Sequence, residues 1–241
     1  MKIAIFGDSF AHTEEFNENR SWYESVKAHG YDVNNFARSG SSLWYSYDQF
    51  IKHNSEYDKC IFLVTNWGRY HVPQMFQPFW AGISQVEESL RNDRSLTHNQ
   101  RRVLESLYNW TLYARNDEQE ILFHSLMIKD IVNTKKDCLV IPCFNYDMSR
   151  ISNFNMCSMF DIHAIDMIHY KIEFQDSNGI WKKKPLRQNG RELRACHMND
   201  ENNVIFAQKI INWIDNNQFK MSVNDFVTSS KSVEYYFELE S

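Results

Sequence analysis

Short apolar runs separated by polar stretches are the main pattern along the chain. Lys2–Phe6 ends at Gly7, Lys59–Thr65 ends at Asn66, and Cys138–Pro142 ends at its own proline. Apolar runs of this length, bounded by turn-forming residues, predict buried β-strands. A shorter run over residues 31–37 predicts a further strand between the first and the second of these.

Segments with helical spacing of apolar residues lie between and after the predicted strands. Helices are predicted over Trp22–Lys27, with Gly30 as the C-terminal cap, and over Leu43–Lys52. Two more are expected between about residues 100 and 133, and an amphipathic helix over Val204–Ile214. The alternation of strand, loop and helix predicts an α/β fold with a parallel sheet and crossover helices.

The domain organisation predicted from the chain is a single domain over residues 1–241. No repeat, low-complexity tract or linker interrupts the sequence. The segment of about 70–135 is interpreted as a helical insertion or cap, with a loop over Pro73–Trp80 because of its two prolines. The polar, basic segment 175–190 predicts a surface loop or hairpin, and residues of about 220–241 form a C-terminal extension.

Composition restricts the class of protein. Hydrophobic residues make up 43% of the 241 residues and charged residues 24%, so a globular core is available. The net charge of -5 argues against a dedicated nucleic-acid binder. No apolar run approaches the ~18 residues of a membrane span.

The expected location of the chain is the cytoplasm. Asp8 interrupts the first apolar run, so no signal region with a charged and then an apolar part is present. The five cysteines include no CxxC pair and are interpreted as reduced thiols. Export by a route without a signal peptide is left open.

Candidate chemistry follows the ends of the predicted strands. Gly7-Asp8-Ser9 comes directly after the first strand, and ligands of α/β proteins bind just beyond the carboxyl ends of strands. Ser9 is therefore expected to stand exposed at that edge. A serine needs a base and an oxyanion site to act as a nucleophile, and Asp8 or Ser9 alone fits a cap equally well.

Other strand ends and loops offer the groups that such a serine needs. Gly40 lies in the loop after the second strand, and Asn66 follows the Lys59–Thr65 strand. A glycine lets the backbone approach closely, and an asparagine amide donates without adding charge. His197 precedes the last major helix, where a catalytic base would be placed. Taken singly, Gly40 also fits a turn and Asn66 a cap.

Neither a metal nor a cofactor is expected. Asp161, His163 and His169 match no standard zinc spacing, and no cysteine pair completes such a site. His124, on one of the predicted helices, is interpreted as a packed or surface residue and not as a ligand.

Four short motifs resemble the sequence blocks of the SGNH (GDSL-type) hydrolases. Gly7-Asp8-Ser9-Phe10 resembles the first block, and residues 35–40 (NFARSG) are similar to the second, which ends in an oxyanion glycine. Asn66 falls at the oxyanion asparagine of the third block. His197-Met198-Asn199, followed by a helix, is similar to the last block.

The resemblance implies a flavodoxin-like three-layer α/β/α sandwich that hydrolyses esters through an acyl-enzyme. Its implied roles are nucleophile for Ser9, oxyanion donors for the Ser9 and Gly40 N–H groups and the Asn66 side chain, and base for His197. Asp8, Phe10 and Trp67 are expected to contact the substrate. Aromatic residues near these motifs fit a small acyl ester, with an O-acetylated carbohydrate as the preferred substrate; lipid esters and thioesters are left open.

Two departures from the family pattern concern the catalytic acid and the third block. Trp67 follows Asn66 where the family usually has an aspartate, and Arg194 stands where the aspartate before the histidine is expected. A Ser9–His197 dyad, a substitute acid at Glu192 or Asp200, and a backbone carbonyl remain alternatives. The same departures favour a second hypothesis, a catalytically degraded member of the family that serves as a binding or assembly module.

Overall fold

A computed structural model describes residues 1–11, 21–72, 79–81, 83–144, 157–159, 161–162, 172–175, 181–184, 198 and 200–227. The chain divides into two compact units. Unit 1 comprises Met1–His12 and Asp32–Phe154, and unit 2 comprises Thr13–Tyr31 and Asn155–Ser241. The organisation as one domain of residues 1–241 stays a prediction.

The strands and helices follow the predicted alternation. The strands are β1 (Lys2–Phe6), β2 (Asp32–Asn35), β3 (Lys59–Val64), β4 (Tyr70–Val72), β5 (Phe79–Ala81), β6 (Cys138–Pro142), β7 (Ile172–Gln175) and β8 (Trp181–Lys184). The helices are α1 (Trp22–Ala28), α2 (Leu43–His53), α3 (Ile83–Asn92), α4 (His98–Tyr113), α5 (Asp117–Thr134) and α6 (Asp200–Asn216). Short 3-10 turns cover Asn54–Glu56 and Val223–Asp225.

A four-stranded parallel sheet in the order β2-β1-β3-β6 forms the centre of unit 1. This confirms the predicted α/β class, and the order is the one found in flavodoxin-like folds. Ile5 pairs with Asn35 of β2 on one side and with Ile61 of β3 on the other. Because the strands are parallel and in register, the loops that follow β1, β2 and β3 leave the sheet at the same edge.

Both faces of the sheet are buried, which explains why its central strands are continuous apolar runs. Phe6, Phe62 and Val140 belong to a cluster that packs against α2 and α5. The side chains of the opposite face are fully buried as well: Ile3, Ile5, Ile61 and Leu63.

The segment interpreted as a helical insertion contains helices of two kinds. α5 lies on the sheet, where Met127, Ile128 and Ile131 join the core cluster, so it is the crossover helix before β6. α3 and α4 instead form a small cluster of their own around Val86 and Leu104. α3 was missing from the predicted elements.

The loop predicted over Pro73–Trp80 is wrong at its C-terminal end. Phe79 and Trp80 belong to β5, which pairs antiparallel with β4. The prolines argued against a strand, but the hydrogen bonds of this hairpin come from a partner strand, which local sequence does not reveal.

Unit 2 is built on the packing of α1 against α6. The Trp22 ring meets Phe206 edge-on at 5.2 Å between centroids, and the backbone N–H of Trp22 donates to Asn203 Oδ1 at 3.3 Å. Strands β7 and β8 form an antiparallel hairpin with Phe174 opposite Lys182. A hairpin is therefore present here, but its first strand begins before the predicted segment 175–190, and residues 176–180 and 185–190 lie outside the described ranges.

His124 on α5 is a packed residue, as expected. Its exposure is 2%, and its Nδ1 atom has no hydrogen-bond partner in the described part of the chain. Burial, and then the charge of Arg115, lowers the pKa of His124 from 6.5 to about 4. The imidazole is therefore neutral in the folded protein at pH 7.

We expect His124 to make the folded protein acid-sensitive. Between pH 6.5 and about 4 the unfolded chain takes up a proton here that the folded chain does not, so stability falls as the pH drops through this window. The loss should reach about 3 kcal/mol at pH 4. Denaturant unfolding of wild type and His124→Gln across this range measures it.

The variant should show a flatter dependence of unfolding free energy on pH than wild type. His98→Gln, at an exposed position at the start of α4, serves as the matched control and should keep the wild-type slope. Equal slopes for wild type and His124→Gln would contradict this assignment.

Candidate active site

Hydrogen bonds join the loops that follow β1, β2 and β3. The Gly7 carbonyl accepts from the Arg38 N–H at 3.1 Å and from Ser41 Oγ at 2.8 Å. Thr65 Oγ1 lies 2.5 Å from Asp8 Oδ2 and 3.3 Å from the Ser41 carbonyl oxygen. These contacts bring together the loops that carry Ser9, Gly40 and Asn66, as the predicted sheet edge requires.

Ser9 lies in a tight turn at the end of β1. The Ala11 N–H donates to the Asp8 carbonyl at 3.0 Å, and the Phe10 N–H donates to Asp8 Oδ1 at 3.1 Å. Ser9 is only 9% exposed, so the expectation of an exposed serine is wrong. The turn is also held from β2, where Asn35 Nδ2 donates to the Ala11 carbonyl at 2.7 Å.

Asp8 is fully buried and bound by donors from the loop after β3. Its Oδ2 accepts from Thr65 Oγ1 at 2.5 Å and from an Arg69 guanidinium nitrogen at 2.6 Å. The same nitrogen lies 3.0 Å from Thr65 Oγ1. Protein donors therefore surround the carboxylate, and its expected contact with substrate stays a prediction.

The Asn66 side chain closes a turn of its own. Its Oδ1 accepts from the Gly68 N–H at 2.7 Å, and its carbonyl accepts from the Arg69 N–H at 3.3 Å. The Asn66 Nδ2 group makes no hydrogen bond to any other described residue. An oxyanion needs an N–H donor of this kind, and the expected role of Asn66 as an oxyanion donor stays a prediction.

Gly40 occupies a turn that only glycine adopts readily. Its φ is +72°, in the left-handed region, and the Ser41 N–H closes the turn on the Arg38 carbonyl at 3.0 Å. Ser42 then caps α2 by accepting from the Tyr45 N–H. A turn position for Gly40 is compatible with its expected role as an oxyanion donor, because the backbone N–H of a turn residue can point away from the turn.

Trp67 follows Asn66 and is covered on one face by a cation. The Arg115 guanidinium lies 4.2 Å from the Trp67 ring centroid and 5.6 Å from that of Tyr70. Arg115 Nε also lies 2.9 Å from Asp117 Oδ1. That face of Trp67 is therefore not available for stacking on a sugar, and substrate contact by Trp67 stays a prediction for the rest of the ring.

Phe10, the residue after Ser9, is a buried aromatic residue. It is 6% exposed, and its ring meets Phe144 edge-on at 5.6 Å. The Arg69 guanidinium lies 5.5 Å from the Phe144 centroid, so both residues contact the same ring. The expected role of Phe10 in substrate contact stays a prediction.

Cys143, after β6, lies close enough to Asp8 and Arg69 to feel both charges. Burial, and then the Asp8 carboxylate, raises the pKa of its thiol well above the usual value, against a smaller lowering by Arg69. A fully buried thiol that stays protonated is a poor nucleophile. Cys143 is therefore not a candidate nucleophile.

Arg69 and Thr65 were not among the residues predicted for the site. Their partner Asp8 lies 61 and 57 positions away along the chain, respectively. No local pattern marks such a contact. A buried acidic residue does require a cationic partner, but the sequence alone offers no means of choosing Arg69 among the other basic residues.

His197, Glu192 and Arg194 lie outside the described residues, so their predicted roles stay predictions. The backbone of Asp200 begins α6. Within the described ranges, no group of three His, Cys, Asp or Glu side chains could hold a metal. No described helix combines the length and the apolar character that crossing a membrane requires.

No protein-family model matches the chain, and no curated protein matches it in sequence. Solved structures similar to it include a lipolytic G-D-S-L family protein from Veillonella parvula, at 11% identity and a TM-score of 0.31, covering 63% of each chain. The chain therefore spans less than two thirds of that structure.

Two further similar structures are esterases by name. The psychrotrophic esterase EstA from Pseudoalteromonas sp. matches at 11% identity and a TM-score of 0.43, over 89% of this chain and 99% of that one. The acetyl xylan esterase AlAXEase matches at 13% identity and a TM-score of 0.33, over 89% of this chain and all (100%) of that one.

Proposed function

We propose that this protein is a serine ester hydrolase that acts on small acyl esters through an acyl-enzyme on Ser9. The preferred substrate is an O-acetylated carbohydrate. The observation that supports the proposal most is the sheet edge of unit 1, where hydrogen bonds join the turn of Ser9 to the loops of Gly40 and Asn66.

In the proposed reaction, Ser9 Oγ attacks the carbonyl carbon of the ester while its proton passes to a base. The resemblance assigns the base to His197. The carbonyl π electrons move to oxygen, and the resulting oxyanion accepts from the N–H groups of Ser9 and Gly40 and from Asn66 Nδ2. Collapse breaks the bond to the alcohol, which leaves with the proton held by the base.

The second half of the reaction repeats the first with water as the nucleophile. The base takes a proton from water, the hydroxide attacks the acyl carbon, and Ser9 leaves with that proton returned to its oxygen. The products are one carboxylic acid and one alcohol, and the protein is regenerated. No cofactor or metal enters the balance.

We expect a fluorophosphonate probe to label the wild-type protein at Ser9 and p-nitrophenyl acetate to be hydrolysed. Ser9→Ala should do neither, because the alanine has no oxygen to form the covalent bond. Mass spectrometry of the labelled protein identifies the modified residue. Ser125→Ala, which removes a buried serine hydroxyl on α5 that donates to the Ile121 carbonyl, is the matched control and should still label.

Labelling of Ser9→Ala at another residue would move the nucleophile elsewhere. A folded wild-type protein that neither labels nor hydrolyses would favour the second candidate function, a binding or assembly module on the same fold. Arg194 at the usual position of the acid, and Trp67 in place of the aspartate after Asn66, are the observations that favour that alternative.

A further inference from the structure

We infer that Arg69 is a positioning residue of the proposed active site and that it acts through Asp8. This rests on the proposed function. Arg69 lies on the loop that carries Asn66, and Asp8 immediately precedes Ser9. Their ion pair therefore links the proposed nucleophile to the proposed oxyanion donor.

The geometry of the pair is that of a fixed internal contact. The nitrogen of Arg69 lies 2.6 Å from Asp8 Oδ2, and the exposed fractions of the two side chains are 23% and 0%. Thr65 Oγ1 lies within hydrogen-bond distance of both, at 2.5 Å from Asp8 and 3.0 Å from Arg69. Buried pairs with additional hydrogen bonds of this kind hold their partners in one arrangement more firmly than exposed pairs do.

The two ends of the pair are also tied to the groups they would position. At one end, Asp8 Oδ1 accepts from the Phe10 N–H and so shapes the turn on which Ser9 lies. At the other end, the Arg69 N–H donates to the Asn66 carbonyl at 3.3 Å. A shift of Arg69 therefore changes the separation between Ser9 Oγ and Asn66 Nδ2, the distance on which oxyanion stabilisation depends.

Charge gives the pair a second effect on the same reaction. The Asp8 carboxylate is one residue from the nucleophile, and its negative charge opposes the negative charge that develops on the substrate oxygen. The Arg69 guanidinium offsets it at a distance of 2.6 Å. Removal of Arg69 alone leaves the carboxylate uncompensated in a buried position, which is unfavourable for the fold and for the oxyanion alike.

The test compares Arg69→Met, Arg69→Lys, Asp8→Asn and the double variant Asp8→Asn/Arg69→Met with wild type. We expect kcat on p-nitrophenyl acetate to fall by roughly 10² in Arg69→Met with KM nearly unchanged, as for a misplacement of about 1 Å. Arg69→Lys, which keeps the charge, should recover at least tenfold of that loss. The double variant should be no slower than the slower single variant, because the two residues act as a unit.

Arg101→Met separates positioning from general stability. Arg101 is another partly buried arginine of unit 1 and donates to the carbonyls of Leu90 and Asp93. Its loss should lower the melting temperature and leave kcat unchanged. If Arg69→Met fails to fold, the test uses the kcat of Arg69→Lys and the kcat of the double variant, each relative to wild type.

The outcomes separate this inference from the proposed function. Two results with an active wild type would overturn the inference and leave the proposed function standing. One is a kcat of Arg69→Met within twofold of wild type. The other is a double variant in which the effects of Asp8→Asn and Arg69→Met multiply. Wild type that neither labels with fluorophosphonate nor hydrolyses the ester overturns both.

Discussion

If the proposed function holds, Asn66→Ala should lower kcat for ester hydrolysis by roughly 10²–10³ with little change in KM, as the loss of one oxyanion donor does in serine hydrolases. In the proposed reaction the amide acts on charge that develops only in the transition state, so ground-state binding should be unaffected. Steady-state kinetics on p-nitrophenyl acetate measure both constants.

A second variant distinguishes the donor from the turn. Asn66 Oδ1 accepts from the Gly68 N–H at 2.7 Å, so alanine removes a turn contact together with the Nδ2 donor. Asn66→Asp keeps an acceptor for Gly68 and has no N–H to donate. It should therefore retain the melting temperature better than Asn66→Ala and lose at least as much activity.

Asn212→Ala is the matched control for these variants. Asn212 is an exposed amide on α6 whose Nδ2 donates to the Gln218 carbonyl at 3.1 Å. Its replacement should leave kcat unchanged. If Asn66→Asp keeps full activity, Asn66 is a turn residue and not an oxyanion donor.

Gly7→Ala should destabilise the fold more than the other substitutions considered for unit 1, by about 3–5 kcal/mol. Gly7 has φ +154°, and a Cβ atom there would lie 2.6 Å from Leu63 Cβ. Leu63 is fully buried in β3, so the sheet itself would have to shift to make room. Denaturant unfolding followed by far-UV circular dichroism measures the change.

Comparison with Gly30→Ala separates the steric part of this loss of stability from the conformational part. Gly30 also has a positive φ, +107°, but a Cβ atom there would have no neighbour within 4 Å. It should therefore show only the conformational cost, about 1–2 kcal/mol. Equal destabilisation by the two substitutions would mean that the approach of Gly7 to Leu63 is not tight.

The shift expected in Gly7→Ala also bears on the site. The Gly7 carbonyl accepts from Arg38, from Ser41 and, at 3.2 Å, from Ser46 Oγ, and so anchors the loop of Gly40 to the end of β1. Where the variant still folds, its rate of fluorophosphonate labelling should fall as well. Gly7 thus combines a close approach to β3 with a carbonyl that joins the loops.

The sheet was predictable from the sequence because its strands carry their own signal. β1, β3 and β6 are buried on both faces, so each is a continuous apolar run that ends at a glycine, a polar pair or a proline. The alternation with helices then implies parallel strands, and parallel strands bring their carboxyl ends to one edge. The local pattern is therefore sufficient to place the loops of Ser9, Gly40 and Asn66 together.

Elements without an internal signal were missed or misassigned. β5 is a strand only because β4 pairs with it, and the two prolines that precede it, Pro73 and Pro78, favour a loop when the segment is considered alone. α5 has apolar residues at helical spacing, but the spacing does not say that this helix packs on the sheet while α4 does not. Strand pairing and helix packing of this kind depend on residues that are distant in the sequence.

For the proposed site as well, some features were predictable from the sequence and others were not. Sequence alone determined the residue types at the strand ends: a serine after Gly7-Asp8, a glycine in the next loop, an asparagine after β3. Only the tertiary structure decided that Asp8 pairs with Arg69 across 61 positions, that Ser9 is 9% exposed, and that Arg115 covers a face of Trp67. The physical reason is that strand signals are local, whereas charge pairing and burial are set by residues that meet only when the chain has folded.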